Sequence, residues 1–134
     1  MAVTAKNREQ AKIVLIGEDE LSIRTVLAEH LHDCGFEVMA TANTHEAMQM
    51  LRDGVLIDVL FADVRMPGEI NGFGLTSRVR QNCPKVRIIM ISGVDRAAHQ
   101  ASDLCGRRHN LSRPTDPASL AAEIRRLAGR LPQR

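Results

Sequence analysis

The chain has no tryptophan and no tyrosine, so no indole or phenol is present as a reporter. It also lacks any apolar stretch approaching the ~20 residues that a membrane-spanning helix needs. Residues 1–10 lack the apolar run of a secretion signal and read as a loose polar tail. These absences lead us to expect a cytoplasmic protein that does not engage a membrane. Cysteine is sparse: Cys34, Cys83 and Cys105 are odd in number, widely spaced, and include no C-x-x-C pair. That pattern argues against zinc, and thiols in a reducing cytosol are the simplest expectation. Charge of one sign is lacking too. The 18 basic and 16 acidic residues leave a net charge of +2, too weak to imply direct contact with nucleic acid. The basic stretch 107–134 is broken by acids and apolar residues and reads as a solvated face. There is no G-x-x-x-x-G-K-S/T phosphate cradle, no kinase signature, no internal repeat and no linker to a second domain.

What is present fits one domain of 134 residues, with 44% hydrophobic and 25% charged content near the soluble globular average. The continuous apolar runs Ile13-Val14-Leu15-Ile16, Val59-Leu60-Phe61-Ala62 and Ile88-Ile89-Met90-Ile91 read as strands buried on both faces. Phe36 to Thr41 is a weaker candidate, and His109 to Ser112 a poor fifth. Helical stripes alternate with them. Ile23, Val26, Leu27 and Leu31 form the first, and Thr44, Ala47, Met48 and Leu51 the second, capped by Asn43 or Thr44. Leu75 and Val79 mark a third, residues 95–104 a weak fourth. Asp116, Pro117, Leu120, Ile124, Leu127 and Leu131 define a well-capped fifth. Five alternations predict an α/β fold, a parallel sheet covered by helices on both sides.

In such sheets functional groups gather beyond the carboxyl ends of the strands. Glu18-Asp19-Glu20 follow the first run, Asp63 the third, Ser92-Gly93 the fourth, and Arg113-Pro114 the weak fifth. Neighbouring carboxylates repel unless a cation joins them, and Mg²⁺ suits a small set of oxygen ligands completed by water. An ionised carboxylate beside such an ion can accept a phosphoryl group, which makes Asp63 a candidate nucleophile. Each signal has a plainer reading: Asp19 or Glu20 as a helix cap, Ser92-Gly93 as a turn, Arg113-Pro114 as a helix entry. Their joint placement after successive strands is what the plain readings leave unexplained.

The residues Ile13-Val14-Leu15-Ile16-Gly17-Glu18-Asp19-Glu20, Asp58-Val59-Leu60-Phe61-Ala62-Asp63-Val64-Arg65-Met66-Pro67-Gly68, Ile91-Ser92-Gly93 and Leu111-Ser112-Arg113-Pro114 resemble the motifs of response-regulator receiver domains. The resemblance implies a flavodoxin-like five-stranded sheet of order 2-1-3-4-5 with five helices, over residues 11–131, flanked by tails at 1–10 and 132–134. It further implies Asp63 as phosphoacceptor. Glu18, Asp19, Asp63 and the backbone carbonyl of Arg65 would be ligands of Mg²⁺, and Ser92 the switch hydroxyl. The implied partners are a sensor histidine kinase or histidine phosphotransfer protein and a downstream protein target, with homodimerisation left open. Such a protein would assist its own phosphorylation and dephosphorylation without being a turnover enzyme. With no output segment in view, it would bind another protein or relay the group onward, or be a piece of a larger protein.

Several features depart from the family. Arg113 stands where a lysine is usual, bringing a longer, planar, forked cation, and Asn110 stands where an aromatic switch residue is expected. The loop at 68–72 is one residue longer than the common form, with Asn71 where aspartate is frequent. These departures motivate an alternative, a degenerate receiver that works by protein contact without phosphorylation. A Mg²⁺-dependent phosphohydrolase would use the same acids, but no separate general base is evident near Asp63. The five histidines include no pair suited to joint metal binding, and all are expected at the surface.

Overall fold

A computed structural model of the chain describes residues 12–106 and 116–131. Strands β1 (Ile13–Gly17), β2 (Glu37–Thr41), β3 (Val59–Asp63) and β4 (Arg87–Ile91) alternate with helices α1 (Leu21–Asp33), α2 (Thr44–Arg52), α3 (Gly72–Asn82) and α4 (Val94–Cys105); α5 (Pro117–Arg130) closes the series. The strands pair in parallel in the order β2-β1-β3-β4. This matches the first four strands of the expected 2-1-3-4-5 sheet. The expected fifth strand at 109–112, Asn110, Arg113 and both tails lie outside the described residues.

Alternation along the strands splits the core in two. Val14, Ile16, Val59, Phe61, Ile89 and Ile91 face α1, α4 and α5, meeting Ile23, Leu27, Leu31, Leu120 and Ile124. Leu15, Leu60 and Ala62 face α2 and α3, meeting Ala47, Leu75 and Val79. Burial on both faces explains why β1 and β3 read as unbroken apolar runs. The weak fourth helix is real, and its poor stripe has a physical cause: its buried residues are Ala97, Ala98, Ala101 and Cys105, all small.

Local signals set the helix starts. Asn43 Oδ1 accepts the Glu46 N–H at 2.8 Å, while the Glu46 carboxylate reaches back to the Thr41 hydroxyl at 2.6 Å and the Ala42 N–H at 3.3 Å. This reciprocal capping holds the Glu46 carboxyl below its ordinary range, chiefly through the Thr41 hydroxyl. Asp116 caps α5 by accepting the Ser119 N–H at 3.0 Å, with Pro117 in the first turn. Glu20 sits at the N-cap position of α1 but makes no side-chain cap bond, so the acids at 18–20 are not explained as capping groups.

Two expectations are corrected. Cys34, at the end of α1, and Cys105, at the end of α4, form a disulfide rather than two free thiols; Cys83 is the free cysteine among the described residues. Packing of α4 across α1 brings together residues 71 apart in sequence. His30 is 3% exposed, not a surface residue, because it lies four residues after Val26 on the buried face of α1. Among the described residues, no helix is long and apolar enough to cross a membrane.

Gly72 opens α3 so close to β3 that a Cβ there would run into the Asp63 backbone carbonyl. We expect Gly72→Ala to destabilise the fold by about 1–3 kcal/mol through this backbone clash. Urea unfolding followed by far-ultraviolet circular dichroism checks it, with an unchanged midpoint as the contrary result.

Candidate functional site

The strand register builds the site. Gly17 of β1 pairs with Ala62 of β3, so the next residues, Glu18 and Asp63, come side by side at the carboxyl edge of the sheet. Asp63 in turn pairs with Ile91 of β4, so Ser92 begins the chain's departure on the other flank. Asp63 is the last residue of its strand and is 6% exposed, whereas Asp19 is exposed and Glu18 is fully buried. One carboxylate oxygen from each of Glu18, Asp19 and Asp63 can be chosen so that all lie within 4.8 Å of one another. The sequence-derived acids therefore do converge. Ser92 is exposed beside them, ahead of Gly93, whose φ of 84° turns the chain from β4 into α4.

Backbone and side-chain donors fix the cluster. Asp63 Oδ1 accepts the Arg65 N–H at 2.9 Å, and Val64 N–H donates to the Ile91 carbonyl at 3.0 Å. Glu18 Oε2 accepts the Glu20 N–H at 3.0 Å. The Arg24 guanidinium donates to the backbone carbonyls of Glu18 at 2.9 Å and Asp19 at 3.4 Å, holding the acidic turn against α1. Thr44 anchors the loop after β3 by donating its hydroxyl to the Ile70 carbonyl at 2.8 Å and its N–H to the Pro67 carbonyl at 3.1 Å. Asn71 accepts the Gly74 N–H at 3.0 Å and so caps α3, a role its side chain fills in place of the aspartate frequent there. A surface depression of about 430 Å³ beside this loop, lined by Thr44, Glu69 and Arg78 among others, does not include Glu18, Asp19 or Asp63.

The electrostatics of the cluster ask for a cation. Glu18 Oε1 is buried and has no hydrogen-bond partner among the described residues. Burial pushes the Glu18 carboxyl from its ordinary 4.5 up to about 9; the Glu20 N–H opposes this and the neighbouring Asp63 charge adds to it. A buried oxygen with nothing to bind, facing two further carboxylates, fits a hard divalent ion with oxygen ligands and retained waters. Glu18, Asp19 and Asp63 are the described side chains that fit such an ion.

A second cluster was missed in the sequence. His30 Nε2 lies 3.2 Å from Cys105 Sγ and 3.8 Å from Cys34 Sγ, with all three residues buried. A signal was available: Val26, His30 and Cys34 recur at four-residue spacing on one helix face.

Comparison with known proteins identifies the family and the fold. The family model for the response regulator receiver domain matches residues 14–125. The "Probable transcriptional regulator ycf27" of Guillardia theta is 30% identical over 118 residues, covering 87% of this chain and 45% of that protein. The chain spans about half or less of the curated relatives it matches. Among solved structures, the response regulator TrrA of Thermotoga maritima in complex with Mg²⁺–BeF is similar with a TM-score of 0.58 and 26% identity, over 87% of this chain and 98% of that one. A complex of the histidine kinase ThkA with TrrA gives a TM-score of 0.56 and 30% identity, over 62% of this chain and 70% of that one.

Without a cation, the folded chain binds a proton on Glu18 up to about pH 9, whereas an unfolded glutamate releases it near 4.5. The contribution of this group is therefore greatest at or below the lower value and is lost as pH rises toward the upper one. We expect the metal-free melting temperature to fall as pH rises through the neutral range, Mg²⁺ to raise it by several degrees there, and Glu18→Gln to abolish both effects. Differential scanning calorimetry with and without Mg²⁺ tests this, and a Mg²⁺ response unchanged in Glu18→Gln contradicts it.

Proposed function

The chain belongs to the response regulator receiver domain family, and on that premise we propose that it is a phosphoacceptor switch whose Asp63 takes a phosphoryl group beside Mg²⁺. The observation that carries this reading is the buried oxygen of Glu18, without a hydrogen-bond partner among the described residues, in the cluster shared with Asp63, an arrangement that is costly unless a cation completes it. The arrangement also supports a division of labour at Asp63. Its Oδ1 accepts the Arg65 N–H, which leaves Oδ2 to attack phosphorus. A lone pair on Oδ2 forms the new O–P bond. The bond from phosphorus to the donor breaks, and the leaving group carries away the electron pair and then takes a proton.

When bound, Mg²⁺ would offset the charge that the phosphoryl group brings. Glu18, Asp19, Asp63 and the Arg65 backbone carbonyl would hold it. Ser92, one position beyond the β4 partner of Asp63, would donate its hydroxyl to a phosphoryl oxygen and draw its own turn inward. Arg113 would supply a further positive charge, and Asn110 would leave the switch without aromatic coupling. The reaction is stoichiometric, one phosphoryl group per chain, and its product acts through altered binding to a downstream protein rather than through turnover. A sensor histidine kinase or histidine phosphotransfer protein is the donor this reading implies; the similarity to a receiver solved with a histidine kinase supports it.

Incubation with acetyl phosphate, with and without Mg²⁺, followed by intact-mass measurement, tests the proposal. One labile phosphoryl adduct should form per chain, require Mg²⁺, and vanish in Asp63→Asn. No adduct under any condition would overturn it and leave a module that binds its partner without phosphorylation.

A further inference from the structure

Helices α1 and α4 both start at the carboxyl edge of the sheet and run back across it, so their ends meet away from the acids. There Cys34 and Cys105, 3% and 2% exposed, are joined with Cα atoms 5.8 Å apart. This separation admits a disulfide without backbone movement. Cys83 packs in the opposite core cluster and does not compete for either sulfur. The third member of the cluster is what sets this pair apart from a passive cross-link. An imidazole nitrogen, His30 Nε2, is buried within contact of both sulfurs, with ligand-type atoms of all three residues within 4.8 Å. A structural disulfide needs no proton acceptor beside it, whereas a pair of thiols that must lose protons to react does.

The tie also falls where it has most leverage. The fully buried positions of α4 are three alanines and Cys105, with Val94 and Leu104 partly buried against the same core, so the end of the helix at Cys105 meets α1 through small side chains. At its other end, Asp95 meets Arg125 of α5 at 2.9 Å, but both side chains are exposed and such a pair adds little. The covalent link closes a separation of 71 residues and ties α4 to α1, in addition to the packing of α4 on α5.

We propose that Cys34, Cys105 and His30 form a reversible oxidation site, in which a hydroperoxide closes the disulfide and fixes α4 to α1, and an external thiol opens it. In the oxidising direction His30 Nε2 takes the Cys105 thiol proton. The thiolate attacks the peroxide, the O–O bond breaks, and Cys105 becomes a sulfenic acid while the leaving hydroxide takes the proton back from His30 and departs as water. The Cys34 sulfur then attacks the Cys105 sulfur, the S–O bond breaks, and the departing hydroxide takes the proton lost by the Cys34 thiol and leaves as a second water. Two thiols lose two electrons in total and one hydrogen peroxide is reduced to two waters. In the return direction an external thiol attacks one sulfur and a second thiol resolves the mixed disulfide. Burial limits the oxidant to a small molecule that enters on local opening at the end of α4.

The test uses the full chain, reduced and freed of metal, then exposed to dilute hydrogen peroxide and alkylated with iodoacetamide in denaturant. The reduced chain carries three cysteines and should take three alkyl groups by intact mass. The oxidised chain should take one, at Cys83, and Cys34→Ser and Cys105→Ser should each prevent closure. His30→Gln should slow closure on the order of tenfold or more while the same disulfide still forms. Reduction should lower the melting temperature by roughly 10 °C and speed amide exchange in α4, and neither change should occur in the double serine variant. Three alkyl groups after peroxide treatment would overturn the proposal, as would an oxidation rate unaltered in His30→Gln. Zinc bound one-to-one by the reduced chain and lost in His30→Gln would overturn it in favour of a metal centre. None of these readouts involves Asp63, so they stand apart from the phosphorylation test.

Discussion

Parallel pairing of β1 with β3 places Glu18 against Asp63 at the end of the sheet, and the rest of the site answers to that constraint. The two strands are buried on both faces, so a slip of one residue would turn apolar side chains out of both cores. The register is thus set by the apolar runs, while its consequence is electrostatic. Glu18 is taken wholly out of water beside another acid. Among the described residues, only one of its oxygens finds a backbone donor. Stability gained along the strands is set against a charge-burial cost at their tips, a common signature of a functional site.

The neighbouring structure limits how the cluster can relax. Arg24 holds the acidic turn by its backbone carbonyls. Thr44 and Gly72 pin the two ends of the loop after β3, the first by hydrogen bonds and the second by a backbone approach that leaves no room for a side chain. The oxygens are therefore held in place before any ligand arrives, which is what a small cation or a phosphoryl group requires of its site.

The opposite end of the α1–α4 layer follows a different logic. Small residues let α4 lie close over α1, and a covalent bond joins the two helices where they meet. The acids and the sulfurs thus lie at opposite ends of α1, one cluster governed by charge and the other by oxidation state.

Much of the fold was legible because apolar runs and helix stripes carry their own periodicity. The strand segments at 13–16, 59–62 and 88–91, the Asn43 and Asp116 caps, and the stripes of α1 and α5 all reappear in the structure. The acids at 18, 19 and 63 were also within reach, since each follows a strand and parallel topology sends such positions to one edge. Tertiary structure alone decided the complete burial of Glu18 and the meeting of Cys34 with Cys105. Those outcomes depend on which helix crosses which. A contact between residues 71 apart leaves no local pattern, because nothing in the spacing of either cysteine reports where the other helix lies. The sequence by itself determined the periodic elements and the order of chemical groups along the chain. Packing decided which of those groups lost their water.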